Sequence, residues 1–230
     1  MDAQRRQLHR LFKRFARASA DTTMAELISD SRRRVIERVL SERTRAVVPV
    51  LDQIYDIGNI SAVLRSAESF GFLECHIVGE MRRFRSSKRI TQGAHQWMEI
   101  QRWTDTETCL QSLSARGYAL AATSFERSIP IDALPFDRPL VLIFGNEKEG
   151  VSESALRLAD HRFHIPMFGF TRSFNVSVAA ALALHEAHNR RRALGLAGDL
   201  EEAEKGHLRR RYQARSSRLF RSYAGKLPPN

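Results

Sequence analysis

The segment Ile165-Pro166-Met167-Phe168-Gly169-Phe170-Thr171-Arg172-Ser173-Phe174-Asn175-Val176-Ser177-Val178 passes from strand to loop to helix. His164 and Ile165 close an apolar strand, and Pro166 to Arg172 carry the proline and glycine punctuation of a loop. Ser173-Phe174-Asn175 opens a helix, because side-chain oxygens of Ser and Asn satisfy backbone donors orphaned in the first turn. That helix continues through Ala179, Ala180, Ala181, Leu182, Ala183 and Leu184. Small side chains let its backbone approach another element closely. The loop also carries Phe168 and Phe170, which an ordinary connection does not need.

Outward from this segment the middle of the chain alternates between apolar runs and amphipathic stretches. Strands are predicted at Ala46–Leu51, Glu74–Gly79, Ala119–Thr123, Leu140–Gly145 and Arg162–Pro166, with helices at Asn59–Phe70, Ser86–Gly93, Thr104–Arg116 and Glu153–Ala159. Continuous apolar strands alternating with amphipathic helices indicate an α/β fold, a parallel sheet covered by helices on both faces. Ligands of such sheets bind outside the carboxyl ends of the strands, which directs attention to Thr123-Ser124, Gly145-Asn146-Glu147 and Pro166–Ser173.

The ends of the chain differ from this body. Of the net charge of +11, residues 1–45 hold +6 and residues 189–230 hold +7, so residues 46–188 carry −2. Three regions are expected: a basic helical arm at 1–45, a core at 46–188 and a second basic helical arm at 189–230. In the first arm Leu8, Leu11, Phe12 and Phe15 recur at helical spacing among Arg14, Arg17 and other basic residues. A second helix follows Asp30, with Val35, Ile36, Val39 and Leu40 inward and Arg32 and Arg33 outward. The C-terminal arm brings Arg190-Arg191-Arg192 and a basic stretch from Leu208 to Phe220. Basic arms on a near-neutral body point to a polyanion, most simply nucleic acid held by phosphate contacts, with Arg14, Arg17, Arg32, Arg33 and Arg191 as candidates.

Other classes are disfavoured. Cys75 and Cys109 are not in CxxC spacing, and the histidines form no metal-ligand pair, so no metal site is expected and a reducing, cytoplasmic setting is. The N-terminus is charged and no run is long enough to span a bilayer, so no membrane partner is expected. No GxGxxG follows the first strand. Gly145-Asn146-Glu147-Lys148-Glu149-Gly150 lacks the Lys-Ser/Thr pair of a P-loop and places carboxylates where phosphate would sit.

On the helix opening at Asp56-Ile57-Gly58-Asn59, Asn59 reads as the cap and Ile60, Val63, Leu64, Ala67 and Phe70 as the buried stripe. Arg65 falls on the polar side near Ser61 and Glu68, and an i,i+3 ion pair with Glu68 is its simplest use. Glu147 sits in a glycine-flanked loop directly after a strand, either as a turn acid beside Lys148 or as a carboxylate that orients a partner or ligand.

Taken together, Asn59…Arg65, Gly145-Asn146-Glu147-Lys148-Glu149-Gly150 and Ile165-Pro166-Met167…Ser173-Phe174-Asn175-Val176-Ser177 resemble the three motifs of SPOUT-class RNA ribose 2′-O-methyltransferases. The run from Arg32 to Glu68 is similar to the subfamily that modifies guanosine-18 in the tRNA D-loop. The resemblance spans roughly residues 30–195. It implies a sheet whose C-terminal part is tied in a trefoil knot, a rare exception to unknotted chains. It implies S-adenosylmethionine bound in the knot loops by Thr123, Gly145, Ile165 and Phe174 with Met167 nearby, and a homodimer whose active sites are assembled across the interface. Arg65, the family's candidate for the hydroxyl proton, is then assigned first to binding a substrate phosphate and aligning the ribose hydroxyl, since a guanidinium titrating above ~12 is a poor base, and proton acceptance by it stays open. Asn59, Glu147, Ser173 and Asn175 position Arg65, the cofactor loop and the neighbouring subunit. Asp56-Ile57-Gly58 resembles instead the rRNA or wobble-position 2′-O-methyltransferases, which keeps those substrates as an alternative to tRNA. A non-catalytic RNA-binding protein of the same fold is a further alternative, against which the joint presence of Asn59, Arg65, Glu147, Ser173 and Asn175 counts.

Overall fold

A computed structural model describes residues 28–79 and 93–216. Residues 42–199 form one compact unit, and the described residues 28–41 and 200–216 belong to a second. All of the predicted helix Ser86–Gly93 but its last residue, the first helix of the N-terminal arm, Arg14, Arg17 and the end of the C-terminal arm lie outside the described residues.

The larger unit is built on a wholly parallel seven-stranded sheet. Its strands are β1 (Val47–Asp52), β2 (Glu74–Val78), β3 (Glu99–Trp103), β4 (Ala119–Thr123), β5 (Ile129–Pro130), β6 (Leu140–Phe144) and β7 (His161–His164), in the order β3-β2-β1-β6-β4-β7-β5. Between strands run α2 (Ile57–Ser69), α3 (Thr106–Ala115) and α4 (Glu153–Leu158), and α5 (Val176–Ala193) follows β7. The smaller unit holds α1 (Asp30–Glu42), apart from its last residue, and α6 (Glu202–Ser216).

The period of two along β1 divides the core. Val47 and Leu51 face a cluster with Ile60, Leu64, Ala180 and Leu184 of α2 and α5, whereas Val48 and Val50 face Cys109, Leu113 and Ala155 of α3 and α4. Covering both faces of a parallel sheet explains why β1, β2 and β6 are buried at every position. The alanines of α5 serve packing as expected: Ala180, Ala183 and Ala187 are fully buried and α5 lies against α2.

At the amino ends of the strands Glu74 is buried in a polar network. Arg116 donates to both its oxygens at 2.7 and 2.8 Å, Arg45 bridges it to Glu99, and His76 Nε2 lies 2.7 Å from Oε1. Trp103 Nε1 donates to His76 Nδ1 at 2.9 Å.

Several expectations are corrected. Asp56, not Asn59, caps α2, accepting from the Asn59 amide at 3.0 Å. Ser61 is buried rather than on the polar side. Glu68 pairs with buried Arg43 at 2.7 Å and not with Arg65. The edge strands β3 and β5 were not predicted. The compact unit that holds the sheet runs to residue 199, and α5 continues past residue 189 to Ala193. Arg191 is only 5% exposed, with Nη1 donating to the Phe136 carbonyl at 3.0 Å, which removes it from any RNA-facing surface. In the smaller unit Arg209 joins α6 to Glu37 of α1 through two bonds at 2.7 and 2.8 Å. Arg32 Nε donates to Ser216 Oγ and Arg33 pairs with Asp30, while Arg34 and Arg38 are the exposed arginines of α1.

Candidate functional site

A cleft of ≈ 630 Å³ opens at the carboxyl ends of β4, β6 and β7. This is where a parallel sheet presents its loop amides to a ligand. Each strand contributes the loop that follows it.

After β6 the chain makes a closed loop. The backbones of Asn146 and Gly150 bond reciprocally at 3.1 and 3.0 Å, and the Asn146 side chain accepts from the amides of Lys148 and Glu149. A Cβ on Gly145 would lie 2.0 Å from the carbonyl carbon and oxygen of Gly150, so only glycine permits this return. Gly150 itself sits at φ +72°. The closure projects Glu147, which accepts a hydrogen bond from the Asn59 side chain across the sheet. Because Asp56 takes the capping role, the Asn59 amide is left to make this contact.

After β4, Thr123 donates to the Ile143 carbonyl at 3.2 Å, locking β4 to β6 beneath the cleft, and Ser124, Phe125 and Glu126 form the rim. β7 brings His164 at its end, and after it come Ile165 and Met167, then Ser173, Phe174 and Asn175. Asn175 is the cap of α5, accepting from the Ser177 amide at 2.9 Å and the Ser177 hydroxyl at 2.6 Å, whereas Ser173 precedes the cap and faces the cleft.

The structure therefore brings together Thr123, Gly145, Glu147, Ile165, Met167, Ser173, Phe174 and Asn175 around one cleft, with Asn59 bonded to Glu147. Arg65 is not among them. It is exposed on α2, and among the described residues no hydrogen bond or ion pair engages it. Residues not singled out from sequence are Phe125, Glu126 and His164, whose Nδ1 lies 2.9 Å from Ser128 Oγ. Their signal was available, since all three lie at or just beyond predicted strand ends.

The lining is of mixed character. Phe144, Val151, Leu156, Phe163 and Ile165 supply an apolar floor, in which Phe144 and Phe163 meet edge to face. The acidic groups at the rim are Glu126, Glu147 and Glu149, and among the described residues no lysine or arginine joins the lining. Such a cleft suits a partly apolar, cationic molecule and repels a polyphosphate. Among the described residues no group of three or more His, Cys, Asp or Glu side chains is placed to hold a metal ion, and no helix is long and apolar enough to cross a membrane.

An α/β sheet with a carboxylate-rimmed cleft at its strand ends, bordered by a glycine-closed loop and a capped helix, has the place and lining of a small-molecule site. Residues 46–185 match the SpoU rRNA Methylase family, and the chain belongs to that family. A tRNA (guanosine(18)-2′-O)-methyltransferase of Borreliella burgdorferi is 32% identical over 190 residues, 82% of this chain and 87% of the relative. One of Thermus thermophilus is 36% identical over 169 residues, 73% of this chain and 87% of the relative. Among solved structures, the TrmH/SpoU tRNA modifying enzyme of A. aeolicus superposes with a TM-score of 0.75 at 28% identity, covering 81% of this chain and 96% of that one. The SpoU methyltransferase AviRb of Streptomyces viridochromogenes, in complex with AdoMet, superposes at 0.59 and 25% identity, covering 66% of this chain and 62% of that one.

Proposed function

We propose that the protein is a tRNA 2′-O-methyltransferase that transfers the methyl group of S-adenosylmethionine to the ribose of guanosine-18 in the D-loop. The observation that carries this reading is the Asn59–Glu147 bond at the edge of the carboxylate-rimmed cleft, on a chain whose curated relatives are named for that reaction. The lining fits the cofactor: its apolar floor takes an adenosine, and its carboxylates favour a sulfonium and an ammonium group. When bound, the cofactor supplies an electrophilic methyl group. Thr123, Gly145, Ile165, Met167 and Phe174 would hold it.

The remaining work falls to the chain's own residues. Asn59 holds the Glu147 loop in place, and Asn175 fixes the start of α5 beside the cleft. Arg65 binds a phosphate of the RNA and aligns the ribose hydroxyl, a contribution of orientation rather than of basicity. Its position outside the cleft of its own chain is accounted for by a homodimer in which two copies complete each site. The exposed side chains favour the same assembly: Val178 and Leu182 stand one turn apart on α5, Phe174 precedes the helix cap, and Phe168 and Phe170 in the loop before it are 98% and 108% exposed. In this reading the segment from β7 through Asn175 into α5 is the part of the chain that forms the trefoil knot. The arms then grip RNA through exposed arginines such as Arg34 and Arg38, and the reduced, buried thiols Cys75 and Cys109 agree with a cytoplasmic location.

The test is Arg65→Ala. It should lower methyl transfer by at least about a hundredfold while leaving cofactor affinity within about threefold, because the side chain lies outside the cleft. Loss of cofactor binding in that variant would refute the assigned role. Transfer to rRNA or to the wobble position of tRNA would move the substrate, as Asp56-Ile57-Gly58 suggests, and leave the chemistry in place.

A further inference from the structure

Asp52 ends β1 and is fully buried. Its Oδ1 accepts from the Thr106 hydroxyl at 2.7 Å and its Oδ2 from the Ser152 amide at 2.8 Å. Among the described residues no cation pairs with it. A buried carboxylate held by two neutral donors is a costly choice where an apolar side chain would serve stability better. What it joins gives it a use. Ser152 caps α4 and stands directly after the closed loop that carries Glu147.

The two stretches are tied twice. Asp52 and Asn59 both belong to the passage from β1 into α2, and their partners Ser152 and Glu147 both belong to the passage from β6 into α4. One tie fixes the base of the loop and the other its tip. Between them the Asn146–Gly150 pair holds the loop shut. The passage itself is steered at once, because Gln53 adopts φ +55° and its amide bonds to the Val78 carbonyl at 3.1 Å. Thr106 anchors the other carboxylate oxygen to the start of α3, so Asp52 is itself held from one side while holding the loop from the other.

We infer that Asp52 is a positioning residue for the transfer reaction: through the Ser152 amide it sets the loop from Gly145 to Val151 in the place from which Glu147 reaches Asn59 and the loop lines the cleft. This rests on the reading that the cleft binds S-adenosylmethionine. The role requires an acceptor at that point and not a charge. An asparagine supplies it, with its oxygen toward the Ser152 amide and its amide toward the Thr106 hydroxyl, which then accepts.

The experiment compares Asp52→Ala, Asp52→Asn and Tyr118→Phe. The last removes a 2.9 Å bond to the Arg45 carbonyl at the opposite end of the strands and serves as the control for lost stability. S-adenosylmethionine affinity, turnover, KM for RNA and amide exchange of residues 145–152 are measured on the full chain. Asp52→Ala should weaken cofactor binding at least about tenfold and speed exchange in that loop, leaving the Ser152 donor unsatisfied. Asp52→Asn should restore both to within about threefold, and Tyr118→Phe should change neither. Should Asp52→Ala not fold, Thr106→Val takes its place with the same direction expected. Wild-type affinity and exchange in Asp52→Ala, or in its substitute, would overturn the inference, as would an equal loss in Tyr118→Phe. If the wild-type protein does not bind S-adenosylmethionine, the proposed function fails, and loop exchange alone still decides the role of Asp52.

Discussion

Replacing Gly145 by alanine tests whether the closed loop after β6 builds the cleft. The added Cβ would stand 2.0 Å from both the carbonyl carbon and oxygen of Gly150 and 2.2 Å from the Val151 nitrogen, all of them backbone atoms. Ordinary contact begins at 3.4 Å, so the two arms of the loop must part by about 1.4 Å. That displacement breaks the reciprocal Asn146–Gly150 bonds, each contributing about 0.5–1.5 kcal/mol, and forces a local strain of similar size. The loop conformation that lines the cleft is therefore disfavoured by about 3 kcal/mol, which appears as about a 150-fold rise in the S-adenosylmethionine Kd. Titration calorimetry on wild-type and Gly145→Ala proteins, with circular dichroism to confirm the fold, measures it. Binding within about threefold of wild type would refute the reasoning, because the loop would then bind in a conformation other than the one described.

Other perturbations probe separate parts of the molecule. Burial alone would raise the Glu74 carboxyl, but hydrogen bonds from Arg116 and His76, together with the Arg116 charge, hold it well below its ordinary 4.5. Its folded value is depressed, so its contribution is present above about pH 4.5 and is lost progressively as pH falls below it; Glu74→Gln should cost about 2–3 kcal/mol in urea unfolding at pH 7 and narrow this loss on acidification. Burial pushes the Cys109 thiol up to about 12 and Cys75 higher still, so neither should react with a thiol reagent at pH 8 until the protein unfolds. Val178→Asp with Leu182→Asp should give a monomer in sedimentation equilibrium with native circular dichroism, since both side chains are exposed on α5; an unchanged dimer would place the interface elsewhere.

Much of this architecture is written locally. The Ala-Leu-Ala-Ala-Thr run of β4 and the Leu-Val-Leu-Ile-Phe run of β6 are buried on both faces, and continuous apolar runs of that length announce a parallel sheet. The strand β3 escaped because Glu-Ile-Gln-Arg-Trp is an edge strand with half-exposed and exposed positions, and β5 is too short to carry a pattern. The cleft was legible as a set of strand ends, since a parallel sheet leaves its loops nowhere else to converge. Which side chain met which was not legible. Asp56 and Asn59 are both good capping residues; Asp56 caps the helix, and the Asn59 side chain bonds instead to Glu147, which lies far along the chain. Arg65 and Glu68 are neighbours on a helix, yet buried Arg43 has the stronger need of a carboxylate and takes Glu68. Arg191 belongs to a basic run that reads as a surface for RNA, but its side chain is buried and donates to the carbonyls of Phe136 and Leu196.

The methylated atom is identified by incubating unmodified tRNA with the protein and methyl-labelled S-adenosylmethionine and mapping the labelled nucleotide. A single 2′-O-methylguanosine at position 18 of the D-loop, absent with Arg65→Ala, is the expected product. RNA that is bound tightly but never labelled would contradict the proposed methyl transfer and leave a binding protein with a methyltransferase fold.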